Sequence, residues 1–166
     1  MLKRHPLVNL ALLAATSLVA CDAVTDPLAG QPDPRSVLGA WYTVSFSGEP
    51  ALYEARIEGG GAPFHGEFRF PLHGRTWFVQ FRDAEWNGRA LSFTTKTDFG
   101  FTLADSTIHW AATLVPESGT ADRADWRPTR LSLAAHTVDG LAFTWDYFRR
   151  DDLIRLHPEL ENAPVR

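Results

Sequence analysis

The chain has 166 residues, a formal net charge of −4 and 45% hydrophobic residues. Such a length suits one domain with a sizeable core. The negative balance argues against a nucleic-acid partner, because such a partner needs a clustered basic face.

Residues 1–20 have the layout of a secretory signal. Lys3 and Arg4 give this segment a positive start, and residues 7–20 form an apolar run. About 20 apolar residues are needed to cross the hydrocarbon of a bilayer, and this run is shorter. We therefore expect a signal peptide here and not a membrane span.

Cys21, the one cysteine of the chain, directly follows Leu18-Val19-Ala20. This spelling resembles the lipobox of bacterial lipoproteins, whose cysteine receives a diacylglycerol and becomes the first residue of the mature protein. The resemblance implies a lipoprotein of the bacterial cell envelope, anchored to a membrane through Cys21 on the extracytoplasmic side. Acylation would leave no thiol for disulfides, zinc–thiolate sites or nucleophilic catalysis. Asp22 favours the inner over the outer membrane, since it resembles the enterobacterial retention signal.

Residues 21–36 are predicted to be a flexible tether that begins at the acylated cysteine. Their prolines, small residues and aspartates cannot bury enough apolar area to fold. The chain therefore divides into a signal peptide at 1–20, a proline-rich tether at 21–36 and a single folded domain at 37–166.

Beyond the tether, side chains alternate between apolar and polar with a period of two. In residues 64–72, for example, Phe64, Phe68 and Phe70 share one parity while polar and charged side chains occupy most of the other. Such alternation predicts half-buried antiparallel strands. The strand candidates are 39–47, 51–58, 64–72, 75–83, 90–97, 99–104, 107–115, 130–138 and 141–148.

Turn signals lie between these candidates, with Asn87-Gly88 and Asp139-Gly140 as the strongest. Strands joined by short turns form a meander, and closure into a barrel removes its unpaired edges. We predict an all-β fold in which an antiparallel meander of about 8–10 strands closes into a small barrel. A two-sheet β-sandwich is the alternative.

Gly39-Ala40-Trp41 opens the first strand candidate. A Gly-x-Trp at the start of a meander barrel resembles the lipocalins and their calycin relatives. In that family the tryptophan plugs one end of the barrel, and an arginine from late in the chain packs over it. The resemblance implies this barrel-closing role for Gly39, Trp41 and either Arg149 or Arg150, which follow the last strong strand candidate.

The polar residues show no recognisable catalytic or metal-binding pattern. His65 and His109 fall on the polar parity of their strands and are expected to face solvent, although a composite site from distant strands stays open. Gly59-Gly60-Gly61 lacks the lysine and hydroxyl residue of a phosphate loop. We expect no catalytic residue, no metal, no cofactor and no enzyme.

Aromatic residues dominate the predicted interior, where they can fill the barrel or line a cup for an apolar ligand. We expect a small hydrophobic ligand or lipid in the barrel mouth. The candidate lining residues are Trp77, Phe93, Trp110, Phe143, Trp145 and Tyr147. The alternative is a structural or protein-interaction module of the envelope with a solid core. It would contact a partner through exposed loops that carry Trp86 and Trp126, the latter within a predicted loop at 116–129.

Overall fold

A computed structural model describes residues 32–46, 48–61, 63–96, 107–119, 126–138 and 140–166. The predicted signal peptide, nearly all of the tether with Cys21, and the strand candidate at 99–104 lie outside the described residues.

Within these described ranges the domain has eight strands, and each pairs antiparallel with the next. They are β1 Gly39–Ser45, β2 Ala51–Glu58, β3 Phe64–Leu72, β4 Arg75–Trp86, β5 Ala90–Lys96, β6 Thr107–Val115, β7 Arg130–Thr137 and β8 Ala142–Phe148. β8 also pairs with β1, so the meander closes into a barrel. The predicted all-β barrel is confirmed, and the alternative of a sandwich is wrong.

Helical segments flank the barrel. A 3-10 helix at Pro34–Val37 precedes β1, helix α1 covers Arg150–Leu156, and a second 3-10 helix covers Pro158–Leu160. Leu153 and Leu160 pack on Leu52, which points outward from β2. The C-terminal segment therefore covers part of the outer wall.

β4 extends beyond its predicted end at residue 83 because the strand contains a bulge. Phe64 pairs with Ala84 but Gly66 pairs with Phe81, so β4 has one residue more than β3 across this stretch. Asp83 adopts a φ of 55° there, and the parity of the strand changes. Trp77 and Trp86, near opposite ends of β4, consequently both pack against the core.

Gly66 has no room for a side chain. A Cβ atom at this position would lie 2.0 Å from the carbonyl oxygen of Arg56 and 3.0 Å from the Phe81 ring. The close approach of β2 and β3 thus requires glycine, although the other residues of this parity in β3 are phenylalanine or leucine.

The two ends of the barrel differ in whether all neighbouring strands pair with each other. β4 and β5 pair only at Glu85–Ser92 and Trp86–Leu91, and β1 and β8 only at Tyr42–Phe148. All three pairs lie near one end of the barrel. We call this the closed end, formed by the start of β1, β3, β5 and β7 and the end of β2, β4, β6 and β8. The opposite end is called the open end, because β4 and β5 diverge towards it.

Candidate functional site

Trp41 and Arg149 occupy the closed end. The Trp41 side chain is buried, and its indole Nε1–H donates a hydrogen bond to the Val37 carbonyl at 2.8 Å. The guanidinium carbon of Arg149 lies 3.8 Å from the centroid of the Trp41 ring. A cation over an indole face is attracted by the negative face of the ring.

The guanidinium of Arg149 also binds the chain that leads into β1. It donates hydrogen bonds to the carbonyl oxygens of Ala40, Ser36 and Leu38 at 2.8–2.9 Å. Burial lowers the pKa of Arg149, and the nearby Asp152 carboxylate opposes that shift.

Gly39 and Arg150 also take defined places at this end. Gly39 has a φ of 93°, and a Cβ atom there would lie 3.4 Å from Nη1 of Arg149. The Arg150 guanidinium instead donates to the Glu161 carbonyl at 3.0 Å. Of the two candidate arginines, Arg149 is therefore the one that lies over Trp41.

Three of the six predicted lining residues lie in the packed interior. Phe93, Trp110 and Tyr147 are buried, and the rings of Phe93 and Trp110 stack with centroids 5.9 Å apart. The Tyr147 hydroxyl donates to the Arg69 carbonyl at 2.7 Å, and burial raises the pKa of Tyr147 well above its ordinary value. These three side chains fill their part of the barrel interior.

The other three, Trp77, Phe143 and Trp145, are only half-buried. The Trp77 indole Nε1–H donates to the Leu72 carbonyl at 3.1 Å, and that of Trp145 donates to the Pro71 carbonyl at 3.2 Å. Both carbonyls belong to the last residues of β3. Aromatic faces are thus fixed by hydrogen bonds and remain partly accessible towards the open end.

A cleft follows the seam where β4 and β5 diverge. Its floor and walls include Trp77, Val79 and Phe78, whose side chain is 60% exposed. Arg75 and Lys96 contribute cationic side chains at the open end. The cleft has a volume of about 780 Å³, and small-molecule sites typically measure roughly 300–1,000 Å³.

Further apolar side chains stand exposed near the same end. Phe46 follows β1 and is 51% exposed, and Val138 and Leu141, between β7 and β8, are 66% and 39% exposed. Large apolar groups that cluster at a surface are typical of binding sites. The described part of the open end therefore exposes several apolar side chains in addition to Arg75 and Lys96.

Trp126 and Trp86 do not stand exposed in loops as expected. Trp126 is buried, its indole Nε1–H donates to the Glu117 carboxylate at 2.6 Å, and Arg155 lies 5.0 Å from its ring. Trp86 is the half-buried last residue of β4. The expected exposure of Trp126 was wrong because Glu117 of the same predicted loop and Arg155 of helix α1 contact its indole.

His65, His109 and His136 are exposed on the outer wall. Within the described ranges, no group of three or more histidine, cysteine or acidic side chains is placed to hold a metal ion. The helices of these ranges are also too short or too polar to span a bilayer.

The described residues define a closed, eight-stranded antiparallel β-barrel with a buried aromatic cluster and with exposed apolar side chains at the open end. Comparisons with protein-family profiles, curated proteins and solved structures give no match to this chain. The function of this chain is therefore inferred from the residues of the open end.

Proposed function

We propose that this protein binds a small hydrophobic ligand or lipid at the open end of a lipocalin-like barrel. The observation that carries the proposal is the cleft between β4 and β5, where the half-buried Trp77 and the exposed Phe78 offer apolar surface next to Arg75 and Lys96. Ligand sites combine an apolar lining with a few placed polar groups. The best fit is an amphiphile with an apolar body and a single anionic head group.

The filled interior directs the ligand to the cleft. Phe68 and Phe81 have ring centroids 5.5 Å apart, and Phe81 and Phe93 have centroids 4.5 Å apart. Since these rings occupy the middle of the barrel, the apolar body of the ligand would lie along Trp77 and towards Trp145, and not in a deep lumen.

The proposed position of the protein is the extracytoplasmic side of a bacterial membrane, with a lipid anchor at Cys21. The support is the lipobox spelling and the proline-rich tether. The chain enters the barrel at the closed end, where Pro34–Val37 leads into β1 beside Arg149. The open end thus lies at the opposite side of the domain from the tether, which suits capture of a ligand away from the anchoring bilayer.

The experiment that tests the proposal is a titration of the full chain carrying Cys21→Ser, which cannot be acylated. Laurate, palmitate and retinol serve as probes, and intrinsic tryptophan fluorescence gives the readout. We expect saturable binding that Trp77→Leu weakens at least tenfold. Trp86→Leu is the matched control, since it replaces a half-buried tryptophan of the same strand at the closed end.

The head-group assignment has its own variant. Lys96→Gln should weaken laurate more than retinol, because only laurate carries the charge that the ammonium group attracts. Equal binding by wild type, Trp77→Leu and Trp86→Leu would contradict the cleft as the site. No binding of any apolar probe would remove the ligand-binding proposal as a whole.

The anchor is tested separately by fractionation of cells. The wild-type chain should sediment with membranes, and the Cys21→Ser chain should not. If both chains sediment to the same extent, lipidation at Cys21 does not hold the protein at the membrane.

A second candidate function is that of a protein-interaction or structural module of the envelope. It is favoured by the packed core around Phe93, Trp110 and Tyr147 and by the exposed Val138 and Leu141. Under this reading, Val138→Ser with Leu141→Ser abolishes co-purification with one defined envelope protein and leaves the binding of laurate unchanged. The ligand proposal instead expects the laurate affinity to depend on Trp77.

A further inference from the structure

Two histidines lie directly opposite each other on the outer wall. His109 of β6 pairs in register with His136 of β7. Both side chains are exposed and project from the same face, since each lies between buried neighbours of the inward parity. Across the described part of the chain, no hydrogen bond or ion pair occupies either imidazole ring.

This arrangement suits chelation of one ion by both rings. Directly opposed residues of antiparallel strands have Cβ atoms about 4.5–5.5 Å apart. Imidazole nitrogens bind zinc at about 2.0–2.1 Å, so two histidines whose Cβ atoms are this close can share one ion once their side chains rotate towards each other. Neutral imidazole is a ligand that copper, nickel and zinc prefer.

The surroundings add negative charge. The cleft that contains both histidines is also lined by Arg82, Asp83 and Glu85. Two carboxylates against one guanidinium leave a local excess of negative charge, which attracts a divalent cation. Because of the bulge, Asp83 is exposed on the outside of the wall together with Arg82, and its carboxylate adds negative charge to this surface.

We propose that His109 and His136 form a two-imidazole site for a divalent cation of the copper, nickel and zinc group, with water in the remaining coordination positions. The site lies on the outer wall of β6 and β7, and neither histidine lines the proposed ligand cleft between β4 and β5, although Thr94 lines both clefts. The proposal includes no third protein ligand, in keeping with the described residues.

Calorimetric titration of the full chain carrying Cys21→Ser with Cu²⁺, and separately with Zn²⁺, tests this site. Serine at position 21 removes the thiol, which would itself bind these metals. We expect one dominant ion per chain. His109→Asn and His136→Asn should each weaken it at least tenfold, and the double variant should be little weaker than either single one, because loss of one ring already destroys the chelate.

His73→Asn is the matched control, since His73 is exposed in the turn between β3 and β4. It should leave the affinity within twofold of the wild-type value. The electron paramagnetic resonance spectrum of the copper-loaded chain should show coupling to two nitrogen nuclei, and this readout needs no variant to fold. Affinity that survives both single substitutions, losses that simply add in the double variant, or coupling to one nitrogen would overturn the proposal.

Discussion

The two ends of this barrel use tryptophan in opposite ways. At the closed end, Trp41 is 1% exposed and lies beneath the guanidinium of Arg149. At the open end, Trp77 is also held by a hydrogen bond to a carbonyl but keeps part of its ring accessible beside a cleft. The two tryptophans therefore differ in whether a neighbouring side chain covers the ring, and not in residue type.

The largest expected difference between the ends is in stability. Trp41→Ala should lower the free energy of unfolding by about 3–5 kcal/mol, because it removes a fully buried large side chain. Trp77→Ala should cost less, about 1–2 kcal/mol, since part of that ring is already accessible to water. Urea unfolding of both variants measures the difference, and equal losses would contradict the distinction between the two ends.

The next effect concerns the neighbouring arginines. Arg149→Met should cost about 2–3 kcal/mol, because the carbonyls of Ser36, Leu38 and Ala40 lose their charged donor. Arg150→Met should cost less than about 1 kcal/mol, since that exposed side chain makes one hydrogen bond, to Glu161.

Denaturation curves of these two variants sharpen the account of the closed end. If Arg150→Met proves as destabilising as Arg149→Met, the contact over Trp41 does not hold this end together. Arg149→Lys should recover only part of the loss, because an ammonium group cannot span three carbonyls in the manner of a guanidinium.

A smaller effect is expected in the core between the two ends. Tyr147→Phe should cost about 1 kcal/mol near neutral pH, since the Arg69 carbonyl loses its donor. Burial raises the pKa of Tyr147 well above the ordinary value of 10.0. The unfolded chain therefore releases the proton of the Tyr147 hydroxyl at a lower pH than the folded protein does. The contribution of this group to folding stability is present below pH 10.0 and is lost as the pH rises above that value.

Unfolding free energies measured in steps from neutral pH to above pH 10.0 test the direction of this change in stability. The wild-type value should fall more steeply with alkaline pH than that of Tyr147→Phe. A residual slope should remain in the variant, because burial and the Glu54 carboxylate also raise the pKa of Tyr42. Parallel slopes would show that the Tyr147 hydroxyl ionises equally well in both states.

Much of the fold could be predicted because a strand repeats every two residues, whatever its neighbours. This pattern alone is enough to predict seven of the described strands, which begin and end within about two residues of their predicted bounds. The end of β4 could not be predicted, because a bulge at Asp83 shifts the alternation by one residue. The contact of an arginine with Trp41 followed from a family resemblance and not from the pattern itself.

The candidate site was less accessible to prediction because it depends on how strands meet. The cleft exists because β4 and β5 diverge, and nothing in either strand alone encodes that divergence. The pairing of His109 with His136 needs the register of β6 and β7, which lie on either side of a long connection. The alternation of apolar and polar residues also could not show that Phe93, Trp110 and Tyr147 pack into the core while Trp77 remains partly accessible.

The most direct test of ligand binding at the open end uses the six tryptophans as reporters. Each indole N–H gives its own resonance in a nitrogen–proton correlation spectrum, and laurate can be titrated into the labelled full chain carrying Cys21→Ser. We predict saturable shifts at Trp77 and Trp145, with the signals of Trp41 and Trp126 unmoved. Shifts centred on Trp41, or no shift at any tryptophan with laurate, palmitate or retinol, would contradict the account.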